Sequence, residues 1–400
     1  MDRPLRRREI LRNSLGLVGL AALQRPAAAE RLLRSITAPA FPGQTEAVDD
    51  RMIVYSREYL TLEMPMSLLT SWITPVDSFF VRNNLLMPAA VDPSAWTLAI
   101  TGEVERPLTL NFHDFMQLAA SKVVNTLECA GNSRSNFQPR IGGVRWGRGA
   151  VGNAAFEGPP LADVLRLAGL KPTAKHVAFR GLDIVPVGAS EFIRSIPIEK
   201  AMERSTLLAT KMDGAPLTPS HGFPVRALVP GWIGSASIKW LQEIRVLSHE
   251  FQGFYMDPGY RVPIASPFAQ ESGPVRTASL TSLRVKSIIA EPADGAILDV
   301  SGSQRVTVRG ASWAGEPAIA RVEVSTDDGR TWHAASLGAD RAKYAWRLWQ
   351  YEWQPSRPGT YVILSRATDS AGRTQPIEPL WNPGGYLWNG VDKIHVQIGK

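Results

Sequence analysis

The chain has a single cysteine, Cys129, among its 400 residues, and that scarcity excludes more chemistry than any other feature of its composition. One thiol makes no internal disulfide and holds no iron–sulfur cluster. Without a C-x-x-C-H run there is no covalently attached c-type haem, and without C-x-x-C or H-E-x-x-H the common zinc sites are not expected. The six histidines (His113, His176, His221, His249, His333 and His395) are scattered, none three or four residues from another. We read no dinucleotide-binding turn opening a helix and no G-K-[ST] phosphate loop, so nicotinamide and nucleoside triphosphate chemistry is not expected. Nor is there a run of lysines with interleaved aromatics. The formal charge of +7 falls to +3 without residues 1 to 29, which hold six arginines against Asp2 and Glu9. A surplus that small calls for neither nucleic acid nor a membrane surface.

What is present starts with that segment. Arg6-Arg7-Arg8-Glu9-Ile10-Leu11 is a twin-arginine signature, followed by an apolar stretch from Leu15 to Leu23 and a small-residue exit, Ala27 to Ala29. The stretch is too short to span a bilayer, so membrane insertion is not expected. We read residues 1–29 as a signal for export of a folded protein to the periplasm, the bland alternative being a frayed basic helix. Residues 30–50, with Pro39, Pro42 and Gly43, read as an extended arm.

The body from residue 51 reads as α+β. Trp96 to Thr101 has the character of a strand, and Asn111 is placed to cap a short helix carrying Asp114 and Phe115. Leu161, Val164, Leu165 and Ala168 recur at helical spacing between Pro160 and Gly169. The last 115 or so residues change character. Val306 and Val308, then Ala320, Val322 and Val324, then Tyr361 and Ile363 alternate with polar neighbours, and Asp327 to Gly329 and Asp369 to Gly372 mark turns. This predicts an all-β, immunoglobulin-like sandwich over 283–400, after a first domain over 51–282.

Cys129 ends the β-branched, apolar run Val123 to Leu127 and precedes Gly131, Asn132 and Ser133, which places it where a strand breaks into a loop. Two readings stand: a small buried hydrophobe, or a thiolate for a metal whose other ligands come from a cofactor. A molybdenum held by a pterin dithiolene suits the second.

Phe79 to Asn84 (F-F-V-R-N-N), Leu127 to Arg134 (L-E-C-A-G-N-S-R), Trp146 to Asn153 (W-G-R-G-A-V-G-N), His221 to Arg226 (H-G-F-P-V-R) and Val229 to Trp240 (V-P-G-W-I-G-S-A-S-I-K-W) together resemble the sulfite oxidase family. The resemblance runs from about residue 72 to the C-terminus. It implies a molybdopterin-binding α+β domain followed by a dimerisation domain, with one molybdenum–molybdopterin per chain and sulfite oxidised to sulfate by oxygen-atom transfer. On the same resemblance Cys129 is the molybdenum ligand. Phe80, Val81, Arg82, Asn83, Asn84, Asp183, His221, Arg226, Ser237, Ile238 and Lys239 would hold the cofactor, whose phosphate and pterin edge want guanidinium, ammonium and amide donors. Arg82, Arg134 and Tyr260 would face the substrate. A third cation is expected from Arg341 or Lys343.

Two positions depart from the family pattern. Asn84 stands where many members have histidine, which removes a titratable group, and Ala236 stands where some animal enzymes have arginine. No haem or flavin segment is evident, so electrons are expected to leave for a separate acceptor such as a periplasmic c-type cytochrome, from a homodimer. Other readings are a sulfane dehydrogenase within a thiosulfate-oxidising assembly, a nitrate or sulfoxide reductase of the same fold, and a metal-free interaction module.

Overall fold

This computed structural model describes residues 47–264, 275–299 and 305–399; the predicted signal segment and most of the predicted arm lie outside them. The first part is built on a five-stranded sheet in the order Leu108–Asn111, Thr97–Gly102, Leu241–Leu247, His176–Gly181, Ile193–Pro197. Only Thr97–Gly102 and Leu241–Leu247 run parallel. The helix Leu161–Ala168 forms as the periodicity predicts, with Pro160 before its first residue and Gly169, at φ 70°, stopping it. A Cβ is unfavourable at such a φ, so glycine there ends the helix at little cost. The helix's four periodic residues are buried with Leu98, Ile100, Phe179 and Ile244 in one core, each such side chain contributing roughly 1.5–3 kcal/mol on leaving water. The short helix Phe112–Met116 is capped as expected: the Asn111 side chain accepts from the Asp114 amide at 2.8 Å.

A second sheet carries the cysteine. Ser121–Glu128 pairs antiparallel with Val151–Gly158 over its full length, Ser121 opposite Gly158 and Glu128 opposite Val151. Phe79, Phe80, Leu127, Trp146, Ala154 and Phe156 pack beneath its end. That apolar floor fixes where the strand can stop.

The C-terminal part is the expected all-β sandwich. One sheet orders Lys286–Glu291, Val306–Trp313, Arg347–Trp353 and Ser336–Leu337, and the other Ala296–Leu298, Asp392–Ile398, Gly359–Asp369, Ile319–Ser325 and His333–Ala334. Val308 and Trp349 from the first meet Val322, Val324, Ile363 and Ile394 from the second in a shared core. Ala320 departs from its predicted inward position. The register shifts between Ile319 and Arg321, and this irregularity buries Ile319 and turns Ala320 outward; such a slip reverses the alternation that period two assumes. Both predicted turns form, with Gly329 at φ 84° and Gly372 at φ 81°. The two parts belong to one compact unit, and side chains from the sandwich reach the first part.

Candidate active site

Cys129 is set in place by its backbone. Its amide donates to Ala150 O and its carbonyl accepts from Asn132, both at 2.9 Å, turning the chain away from the strand. Ser133 follows at φ 65°. A left-handed non-glycine costs energy that the surroundings must offset, and here its amide donates to Gly147 O at 2.6 Å while its hydroxyl accepts from Lys286 Nζ at 3.0 Å. Cys129 is half-buried and lines a cavity of about 70 Å³. Burial pushes the Cys129 thiol pKa up, against the pull of Arg134 and Arg82.

The same cavity gathers the predicted cofactor set: Phe80, Val81, Arg82, Asn83, Asn84, Asp183, His221, Arg226, Ser237, Ile238 and Lys239 all line it, as does Tyr260. They come from five separate stretches, and folding is what assembles them. Lys239 reaches across to Asn83 Oδ1 and donates to Ser220 O at 2.7 Å. Arg226 is buried, and burial lowers its pKa to about 10. Its Nη1 donates to His221 O at 3.0 Å and its Nη2 to Ser237 O at 3.2 Å, which leaves Nε buried without a partner. Ser235 Oγ, also on the cavity, is likewise buried and unpaired. Burial, then the Lys239 and Arg226 charges, lower His221 to about 3, so its imidazole is neutral. Burial raises Asp183 to about 6 against the opposing effect of Lys239. Two orphaned donors beside cations fit an anionic, hydrogen-bonding group, because buried polar atoms otherwise go without the partners that folding normally supplies.

Substrate-side residues form a chain. Arg82 Nη2 donates to Asn84 Oδ1 at 2.8 Å, and Asn84 Nδ2 donates to the Tyr260 hydroxyl oxygen at 3.0 Å. The phenol's own proton lies within reach of the same amide, the Tyr260 hydroxyl donating to Asn84 Oδ1 at 3.3 Å. Tyr260 is pushed up to about 12, chiefly by burial and then by Tyr386, and so stays a neutral donor.

Three predicted residues lie elsewhere. Arg134 is close enough to bias the thiol but does not line the cavity; its Nε donates to Gly385 O at 3.2 Å and Nη1 to Val144 O at 3.1 Å. Arg341 and Lys343 line a groove of their own with Arg347. Lys343 stands 3.9 Å from Glu316 and over the Tyr344 ring, which holds it away from Cys129. The structure does not bring a third cation to the site from that segment.

Other residues were not legible. Glu128, beside Cys129, is buried and accepts from Lys286 Nζ at 2.9 Å, Trp313 Nε1 at 2.8 Å and Asn132 Nδ2 at 3.0 Å. Lys286 and Trp313 belong to the sandwich, more than 150 residues along the chain, and no local pattern links them to the thiol. The spacing Gly147-x-Gly149-x-x-Gly152 does match the dinucleotide turn, but it runs into the strand Val151–Gly158 and not into a helix. Its glycines serve close packing: added Cβ atoms would meet Glu63 at 2.6 Å, Met64 O at 1.7 Å and Phe79 at 2.5 Å.

Among the described residues no three His, Cys, Asp or Glu side chains come together as a metal site. A lone thiol on a cavity lined with anion-binding donors fits a molybdopterin cofactor, which would bring the metal's other ligands. Residues 84–255 match the oxidoreductase molybdopterin binding domain and residues 277–399 the Mo-co oxidoreductase dimerisation domain. The chain is 36% identical to mitochondrial sulfite oxidase of Mus musculus, over 86% of this chain and 65% of that protein. It is 32% identical to sulfite oxidase of Arabidopsis thaliana, over 86% of this chain and 94% of that one. The fold superposes on the sulfane dehydrogenase SoxCD of Paracoccus pantotrophus with a TM-score of 0.75 and 24% identity, covering 95% of this chain and 93% of that chain. The chain belongs to the sulfite oxidase family. It spans 65% of the length of the mouse relative.

Proposed function

We propose that the chain oxidises sulfite to sulfate and passes the electrons to a separate acceptor such as a c-type cytochrome. The carrying observation is that a thiol and a phenol tethered to a cation through Asn84 share one cavity. Cys129 would hold molybdenum, while Arg226, Lys239 and Ser235 would hold the anionic end of the pterin. When bound, that group supplies two-electron oxygen-atom transfer. Sulfite gains one oxygen, ultimately from water, and two protons and two electrons are released. The protein's own share is to orient the oxyanion: Arg82 supplies positive charge and Tyr260 a hydrogen-bond donor in a desolvated site, where both act more strongly than in water.

A second reading has its own support. Arg134 is turned onto Val144 O and Gly385 O and away from the cavity, so fewer cations meet the substrate than a small dianion favours. A sulfane sulfur carried on a protein would suit such a pocket.

The reading extends to export through the twin-arginine segment to the periplasm and to a homodimer formed by the C-terminal domain. The test is to purify the exported protein, measure its mass in solution and its molybdenum per chain, and assay sulfite-dependent reduction of ferricyanide and of cytochrome c. We expect about one molybdenum per chain and turnover, with turnover abolished and the fold kept in Cys129→Ser. Metal without sulfite turnover sinks the substrate. Near-normal activity in Cys129→Ser sinks the ligand assignment. Accumulation in the cytoplasm of a variant with Arg7 and Arg8 changed to lysine tests export.

A further inference from the structure

Four side chains from four separate segments form a series beside the cavity, two stacked rings flanked by two cations. Arg194, 1% exposed on the strand Ile193–Pro197, lies with its guanidinium 5.0 Å from the centre of the Tyr260 ring. Tyr260 stacks on Tyr386, centroids 5.4 Å apart and planes at 14°. The Arg134 guanidinium lies 5.4 Å from the centre of Tyr386. Tyr386 thus contacts both Tyr260 and Arg134, and it comes from the C-terminal domain.

Its presentation is built. Asn382, 2% exposed, accepts from the Tyr386 amide at 3.0 Å and donates to its carbonyl at 2.8 Å. The next amide, Leu387, donates to the carbonyl of Ala130 at 2.8 Å, which pins this turn to the residue after Cys129. Gly385 gives Arg134 an acceptor and leaves it room, since a Cβ there would lie 2.9 Å from the arginine side chain. Gly131 does the same from the cysteine loop, at 2.5 Å. Such a cradle restricts the rotamers open to Arg134, and each cation–ring contact adds preference for the one observed. Among the described residues the Tyr386 hydroxyl makes no hydrogen bond, so its ring does the positioning.

We propose that Tyr386 is a positioning residue for the molybdenum site: its ring holds Tyr260 and Arg134 in fixed relation, so that the C-terminal domain shapes the active centre of its own chain. Losing the ring releases two long side chains at once, one that donates toward the substrate and one that biases the thiol. The proposal rests on the function proposed above. Its test reads geometry separately from turnover.

Wild type, Tyr386→Phe and Tyr386→Leu are compared as loaded enzymes for molybdenum per chain, for kcat and KM with sulfite, and for the Mo(V) electron paramagnetic resonance spectrum after chemical reduction. Crystal structures of their cofactor-free forms are determined in parallel. Tyr386→Phe should keep KM within about twofold and an unchanged spectrum, because the stack survives. Tyr386→Leu should raise KM about tenfold with a smaller change in kcat and should shift the spectrum. In its cofactor-free crystal Arg134 and Tyr260 should leave their wild-type rotamers. The proposal is overturned if Tyr386→Leu keeps both KM and spectrum, or if Arg134 and Tyr260 stay in place in that crystal. If wild type itself fails to turn over sulfite, the substrate reading falls, while the spectra and crystals still decide the role of Tyr386.

Discussion

Asn84 is the residue on which the electrostatics of the site turn. It accepts from Arg82 at 2.8 Å and donates to Tyr260 at 3.0 Å, so one neutral amide links a cation to a phenol without ever changing charge. An imidazole in its place adds a titratable group, whose ordinary value of about 6.5 the adjacent Arg82 charge pushes down. Asn84→His is therefore expected to introduce a new inflection below about pH 6.5 in the profile of kcat/KM. Steady-state rates across that range check it, and a profile that superposes on wild type would make Asn84 a bystander. At this scale the sequence was informative where chemistry is local. Every cofactor-side position from Phe80 to Lys239 except Asp183 was readable in one of the five motifs, and all reach one cavity. Arg341 and Lys343 were not placed correctly by pattern, since a charged pair in a loop carries no sign of which cavity it faces. Their groove is separate.

Among the elements, the strand Ser121–Glu128 bears the most. Its β-branched run made it legible, and its last residue, Glu128, sits in a buried ion pair with Lys286 whose side chains are 8% and 1% exposed. Two charges out of water are tolerated only when their remaining hydrogen bonds are satisfied, and Trp313, Asn132 and Ser133 satisfy them. Lys286→Met leaves the carboxylate buried and uncompensated, with an expected loss of about 3–5 kcal/mol. Adding Glu128→Gln should restore much of it. Chemical denaturation of the single and double variants measures both, and a single variant as stable as wild type would remove the pair from the account of how this strand end is anchored. The helix Leu161–Ala168 was legible from its spacing, because 3.6-residue periodicity is a property of one segment. The shift at Ile319 was not, because a bulge is decided by the partner strand.

For the whole molecule, a cavity prepared for a cofactor has consequences for stability in its absence. His221 is buried and neutral, its pKa lowered from 6.5 to about 3. The unfolded chain takes up a proton on this imidazole near pH 6.5, whereas the folded chain does so only near 3. Stability from this group is therefore complete above 6.5 and falls as pH drops through that window, by about 1.4 kcal/mol per pH unit. Relative to His221→Gln, the cofactor-free protein should lose stability at that slope below pH 6.5, as denaturant midpoints at several pH values will show. Parallel lines for the two proteins would mean that His221 is not held neutral. The same global packing explains why the sandwich contributes to the site: Arg148 pairs with Asp392 at 2.8 Å, Lys286 with Glu128 at 2.9 Å, and Leu387 binds Ala130.

By itself the sequence determined the chemistry available: one thiol, no competing metal set, and anion-binding side chains in short motifs whose local spacing is set by strand and turn geometry. Only the tertiary structure decided which of these meet. It turned Arg134 into a glycine cradle, set Arg341 and Lys343 apart, and brought Tyr386, Lys286 and Trp313 to the cysteine loop. Such contacts join residues more than 100 positions apart, and they are selected by packing and by the need to satisfy buried charge, neither of which leaves a local pattern in the chain.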